Sequence, residues 1–181
     1  MHEYKKNSSI VGYKSDWMTI YEDWVRKDKN TISMFNRIEV SDATIIVPIF
    51  QDGSLLMVEN YRYPIRSNLL ELPGGFIKQN EKAANAARRE LLEETGYTCN
   101  KLKFIRWFYT WPGRTAQKNF VFVGRELIKD SDQKLEDYEF IKVHKISISS
   151  ISQEIRNGKI KGAGTIAALF YGYFSIDNLI H

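Results

Sequence analysis

Cysteine is almost missing from this chain of 181 residues: Cys99 stands alone. A single thiol excludes an intrachain disulfide and a multi-cysteine metal site, and it fits a reducing compartment, so a cytoplasmic location is expected. Long apolar runs are missing as well. The opening MHEYKKNSS carries no apolar segment of the kind a secretory leader needs. The longest apolar stretch, near residues 165–174, is too short to cross a bilayer, so no membrane partner is expected. The 26 Lys and Arg residues outnumber the 22 Asp and Glu by only four and form no run. Such scattered charge tolerates an anionic substrate but leaves no nucleic-acid footprint, and no nucleic-acid partner is expected. No internal repeat, low-complexity tract or linker is found. With 43% hydrophobic and 27% charged residues, the chain reads as one ordinary globular domain with a full core.

The chemistry is concentrated in Gly75–Tyr97, GFIKQNEKAANAARRELLEETGY. Glu90, Glu93 and Glu94 stand at i, i+3 and i+4, which puts their carboxylates on one face of a predicted helix. Like charges so spaced cost about 0.2–0.5 kcal/mol per pair on an isolated helix. Gly96 is placed to stop the helix just beyond them, where the macrodipole is already negative. A hard, oxygen-seeking cation, Mg²⁺ or Mn²⁺, would relieve both conflicts. Ala84, Ala87 and Leu91 form the opposite, core-facing stripe. The plainer alternative is an exposed acidic helix whose glutamates are offset at the surface by Arg88 and Arg89.

Gly75, five residues, Glu81, seven residues and then Arg89-Glu90-Leu91-Leu92-Glu93-Glu94-Thr95-Gly96 resemble the Nudix box of the Nudix hydrolases, with Tyr97 where that family usually has an aliphatic residue. The resemblance implies an α/β Nudix fold, a mixed β-sheet sandwiched between α-helices, over residues 41–181. It implies a loop–helix–loop that binds divalent metal and hydrolyses a nucleoside diphosphate joined to another moiety. Carried over, Glu90 and Glu94 become metal ligands together with the carbonyl of Gly74. Glu93 ligates or supports them, and Glu81 and Arg89 brace the loop as partners. Metals would neutralise the oxygens of a pyrophosphate, otherwise a poor electrophile, and would lower the pKa of an attacking water.

Further elements are similar to the ADP-ribose pyrophosphatases of that family. These are Tyr61-Arg62, Glu71-Leu72-Pro73-Gly74-Gly75 with Gly74 in place of an alanine, and Pro112, fifteen residues past Tyr97. Gly74 is expected to loosen the backbone there. Arg62 and Arg114 are candidate bidentate phosphate contacts, with surface pairing as the alternative for each. Pro112 is a substrate-site mark or simply a turn proline. In the acidic segment DSDQKLEDYE, residues 130–139, the resemblance implies a general base, Glu139 first and Glu136 second. His144 is read as structural.

Residues 1–40 read as a β-rich subregion, loose over residues 1–9 and hairpin-like from Ile10. The subfamily layout implies that it joins two chains in a homodimer. Trp17, Tyr21 and Trp24 are core or dimer contacts, or platforms for a stacked base. Asp52-Gly53 marks a hairpin between two apolar strands. Two helices close the chain, the second, Thr165–Phe174, packing through Ile166, Leu169, Phe170 and Tyr173. The expected activity is Mg²⁺-dependent hydrolysis of a nucleoside diphosphate sugar, ADP-ribose first, to AMP and ribose 5-phosphate. The alternatives are GDP-mannose, another nucleotide sugar or a nucleoside triphosphate as substrate, or a sensing module that binds a nucleotide without cleaving it.

Overall fold

The computed structural model of the chain describes residues 4–29, 31–136 and 139–174. They form two compact units. One holds the described residues up to Asp42 together with Tyr109–Lys118; the other holds Ala43–Phe108 and the described residues from Asn119 onward.

The first unit is an antiparallel sheet of β1 (Lys5–Lys14), β2 (Thr19–Arg26) and β3 (Ile32–Glu39), in that order. The first strand begins earlier than its polar side chains suggest, because Lys5 and Lys6 already pair with Arg26 and Val25. A backbone ladder needs no apolar side chains. Asp23 is buried in the middle strand, where the Ser9 hydroxyl donates to Oδ1 and Arg37 Nε donates to Oδ2 at 2.6 Å. The segment at 109–118 is stitched to the same unit. Ile38 N–H donates to the Arg114 carbonyl at 2.8 Å, Lys118 N–H to Asp42 Oδ1 at 2.8 Å, and Gln117 Nε2 to the Ser41 carbonyl at 2.7 Å.

The second unit contains β4 (Ala43–Ile49), β5 (Leu55–Arg62), β6 (Ser67–Glu71), β7 (Gly74–Phe76), α1 (Ala83–Thr95), β8 (Tyr97–Tyr109), β9 (Lys118–Lys129), β10 (Ile141–Ile146), α2 (Ile148–Arg156) and α3 (Ala163–Leu169). The end residues of β8 and β9 run into the first unit. The main sheet runs β10-β5-β4-β9-β8, with β6 on β5 and β7 on β4. Parallel pairing of β4 with β9 makes it mixed.

Side-chain alternation divides the core into two layers. Ile46, Leu56 and Phe122 face Ala87 and Leu91 of the first helix. Val47, Ile49, Leu55, Met57, Val121 and Val123 face Ile151, Ile160, Ala168 and Leu169 on the other side. This is the mixed α/β sandwich expected from the sequence.

The predicted hairpin has a wider turn than two residues: Phe50 N–H reaches the Ser54 carbonyl at 2.9 Å, and Gly53 N–H reaches the Phe50 carbonyl at 3.0 Å. Its strands pair at Ile49 and Leu55, after which β5 turns its edge to β6 and β4 turns its edge to β7. The connection through Leu72 and Pro73 crosses this split. It is held by Ile46 N–H on the Pro73 carbonyl at 3.0 Å and by Leu72 N–H on Thr165 Oγ1 at 3.3 Å.

The last helix departs from expectation. It is α-helical only to Leu169 and continues as a π-helical turn over Phe170–Phe174. Its buried face is Thr165, Ala168 and Leu169, whereas Ile166 and Phe170 are 38% and 60% exposed. The inward phase is set by Leu169, packed in the core, and by the close approach at Gly172, where a Cβ would come within 2.7 Å of Val47 Cγ2. The Tyr173 side chain lies outside the described residues. Among the described residues, no helix is long and apolar enough to cross a membrane.

Candidate active site

The first helix ends where its sequence says it should. Gly96 adopts φ 71° and donates its N–H to the Leu92 carbonyl at 2.8 Å. Its carboxylate face, however, is not a solvent face. Glu94 is only 6% exposed, and Oε2 accepts the Gly74 N–H at 3.0 Å. Arg88 does not offset the glutamates either, since its Nη1 donates to the Cys99 carbonyl. The exposed acidic helix therefore fails at Glu94 and at Arg88, while Arg89 does pair with Glu90 and Glu93.

Arg89 serves four acceptor residues at once. Its Nε and Nη2 meet Glu81 Oε1 and Oε2, each at 2.9 Å; Nη1 meets Glu90 Oε1 at 2.7 Å and Glu93 Oε2 at 2.9 Å; Nη2 also meets the Phe76 carbonyl at 3.0 Å. A planar fork suits such divided work. Glu81 raises the guanidinium's already high pKa most, while Arg89 lowers the Glu81 carboxyl. The expected brace between Glu81 and Arg89 is present.

Gly74 and Gly75 lie in close approach rather than in a loosened chain. A Cβ on Gly74 would meet the Thr44 carbonyl oxygen at 2.2 Å, and one on Gly75 would meet Glu90 Oε1 at 2.5 Å. The expectation of a slack backbone at Gly74 is thus corrected: pairing with Ile45 and the bond to Glu94 hold it.

Burial pushes the Glu94 carboxyl well above its usual range; the Gly74 N–H opposes this, and the charges of Glu90 and Glu139 add to it. Burial likewise raises Glu90, against the pull of Arg89 and with the push of Glu93 and Glu139. Two desolvated carboxylates with a third in their field lack a full counter-charge, and oxygen donors of this kind fit a hard divalent cation. The side chains do not stand as a finished cage. Among the described residues no three His, Cys, Asp or Glu are gathered to hold a metal. Arg89 draws one oxygen each from Glu90 and Glu93 instead.

The remaining candidates fall in different parts. Glu139 is half-buried, and its Oε2 accepts the Glu136 N–H at 2.9 Å, while Glu139 N–H donates to the Glu136 carbonyl at 2.9 Å; Glu136 itself is exposed. Arg62 is paired with Glu71 Oε2 through Nε at 2.9 Å and Nη2 at 2.8 Å. That partner nine residues away was missed in the sequence, although it belongs to the Glu-Leu-Pro element. Pro112 and Arg114 lie in the first unit, lining a recess of about 470 Å³ with Asp23, Phe35, Arg37 and Tyr109. His144 Nε2 lies 3.3 Å from Glu59 Oε2 on the β10–β5 pair.

The mixed sheet between helices, the glutamate helix and its brace have the layout of the Nudix hydrolases that the sequence led us to expect. Comparison with known proteins agrees: the NUDIX domain profile matches residues 40–161. The chain therefore belongs to the NUDIX family, whose members are pyrophosphohydrolases that use divalent metal ions. It is 31% identical over 130 residues to the ADP-ribose pyrophosphatase of Bacillus subtilis (strain 168), covering 71% of this chain and 70% of that protein. It is 29% identical over 140 residues to the GDP-mannose pyrophosphatase of Yersinia pestis (strain Pestoides F), covering 71% and 69%. A crystal structure described as an ADP compounds hydrolase superposes with a TM-score of 0.85 over 94% of this chain and 92% of that one; at 21% identity it speaks for the fold.

Proposed function

We propose that the protein hydrolyses the pyrophosphate bond of a nucleoside diphosphate sugar, with ADP-ribose the first candidate and AMP and ribose 5-phosphate the products. The observation that carries this reading is the buried, under-compensated pair Glu90 and Glu94 with Glu139 in their field. Glu90 and Glu94 would hold Mg²⁺, or Mn²⁺, with the Gly74 carbonyl, and Glu93 would ligate or support them. A cation bound there draws charge from the diphosphate oxygens. Glu139 orients the attacking water and accepts its proton while the bond from phosphorus to the bridging oxygen breaks. Arg62 contacts phosphate once it leaves Glu71, and Pro112 and Arg114 help to define the substrate site.

Residues 1–40 are proposed as the dimerisation segment of a cytoplasmic homodimer, and residues 41–181 as the hydrolase domain. Support for the first comes from apolar side chains that the three-stranded unit leaves exposed, among them Ile10, Val11, Trp17, Trp24 and Met34. The GDP-mannose pyrophosphatase relative keeps GDP-mannose as a second substrate.

Mg²⁺-dependent turnover, measured side by side on ADP-ribose, GDP-mannose, NADH, diadenosine polyphosphates and nucleoside triphosphates, tests the substrate. Preferred release of AMP from ADP-ribose is expected. A preference for another substrate removes ADP-ribose, and turnover of none of them removes the hydrolase reading.

A further inference from the structure

The last carbonyls of a helix have no partners within it and must find them elsewhere. In α1 they find the segment that leads to Glu139. Lys129 Nζ donates to the Thr95 carbonyl at 3.1 Å; Asp130 and Ser131 N–H donate to the Gly96 carbonyl at 2.9 and 3.2 Å; Lys134 N–H donates to the Glu93 carbonyl at 2.8 Å. One side chain of this segment does more. Gln133 Nε2 donates to the Glu94 carbonyl at 2.6 Å and to the Ile141 carbonyl at 3.3 Å.

A carboxamide nitrogen has two protons, and both are used here. One goes to the backbone of the most deeply buried glutamate of the site. The other goes to the first residue of β10, two positions past Glu139. The amide thereby joins three parts of the chain: the start of the acidic loop, its return into the sheet, and the end of the glutamate helix. Between these two anchorages Glu139 and Glu136 close on each other through their reciprocal bonds. Backbone donors tie the outgoing limb to the helix, and β10 joins β5 from Ile141 onward. Gln133 is the side chain that links the helix end directly to the return limb, two residues past Glu139, whose charge acts on Glu90 and Glu94.

We infer that Gln133 is a positioning residue that sets Glu139 against the carboxylates of α1 by bridging the carbonyls of Glu94 and Ile141. This rests on the proposed role of Glu139 as base. Gln133 touches neither water nor substrate; it acts through the loop. Its chemistry is replaceable by another donor of similar reach and not by a side chain of the same length without donors.

The test uses the full chain with ADP-ribose and Mg²⁺ and compares Gln133→Met, which keeps length and removes the donors, with Gln133→Lys, which keeps N–H donors. Gln133→Met should lower kcat about tenfold or more with KM within about twofold, as expected of a misplaced group, and Gln133→Lys should restore most of it. Amide exchange of Glu136 and Glu139 should quicken in Gln133→Met while the amides of α1 keep their protection, a pattern that general loosening of the fold would not give. In a Glu139→Gln background, Gln133→Met should cost nothing further, because the group it positions is gone. If Gln133→Met turns over like the parent, or costs the same factor with and without Glu139, the inference is overturned while the base assignment stands. If Glu139→Gln itself turns over normally, the base assignment falls and takes this inference with it.

Discussion

Gly75 and Glu90 stand so close that a Cβ on Gly75 would lie 2.5 Å from Oε1 and 2.8 Å from Oε2 of the carboxylate. The clashing atoms are the far end of a flexible side chain, so the backbone can stay while the carboxylate swings away. Gly75→Ala should therefore shift the melting temperature by no more than about 4 °C. Turnover should fall about tenfold or more, because Glu90 leaves its working position. A fully active Gly75→Ala would mean that the orientation of Glu90 is not needed.

Arg89 is the counter-charge for Glu81, Glu90 and Glu93 together. Removing it leaves half-buried carboxylates unpaired and the Phe76 carbonyl without its donor. Arg89→Ala should lose on the order of 3 kcal/mol in denaturant unfolding. Arg89→Lys should recover little, since one ammonium cannot divide its donors among acceptors set out for a fork. Equal midpoints for Arg89→Lys and the parent would show that charge alone suffices.

Glu94 is buried beside like charges, and its acceptor role toward the Gly74 N–H can be kept by an amide oxygen. Glu94→Gln should melt at the same temperature as the parent or higher in the presence of a chelator. Mg²⁺ should stabilise the parent by mass action and leave the variant unmoved. Its kcat should fall about a hundredfold or more. A variant still stabilised by Mg²⁺ would take Glu94 out of the metal set.

Asp23 is the buried charge of the three-stranded unit. The Ser9 hydroxyl first, and Arg37 second, hold its carboxyl below the ordinary 3.8. The folded state thus binds fewer protons than the unfolded state just below that value. The stabilisation is full above about pH 4 and is lost as pH falls through the depressed folded pKa. Amide exchange along β2 should accelerate over that acid range in the parent. Asp23→Asn should be weaker at neutral pH and flatter with pH. An unchanged acid slope in Asp23→Asn would assign the loss to other carboxylates.

The helix, its glycine stop and the shared face of Glu90, Glu93 and Glu94 were legible because they depend on a local period of 3.6 residues. So were the two strands flanking Asp52-Gly53, because strands buried on both faces read as continuous apolar runs, whereas their layering between helices followed from the family resemblance. The side that α1 turns outward was not legible. Glu94 goes in because the split between β4 and β5 brings the Gly74 N–H to meet it, a contact across twenty residues. At the final helix apolarity suggests an inner face that includes Ile166 and Phe170, but the phase fixed by Leu169 in the core and Gly172 against Val47 turns those two outward.

By itself the sequence determined which carboxylates share a helix face, since that follows from spacing along a helix, and the family and its mixed α/β fold through the resemblance of Gly75–Gly96 to the Nudix box. Only the tertiary structure decided that Arg89, expected to brace Glu81, would also take the Phe76 carbonyl, that Arg62 would be held by Glu71, and that Pro112 and Arg114 would join the first unit. It alone seated Gln133 between the Glu94 and Ile141 carbonyls. A hydrogen bond requires two groups to meet within about 3 Å, and for partners distant in the chain that meeting is set by the packing of the elements that carry them.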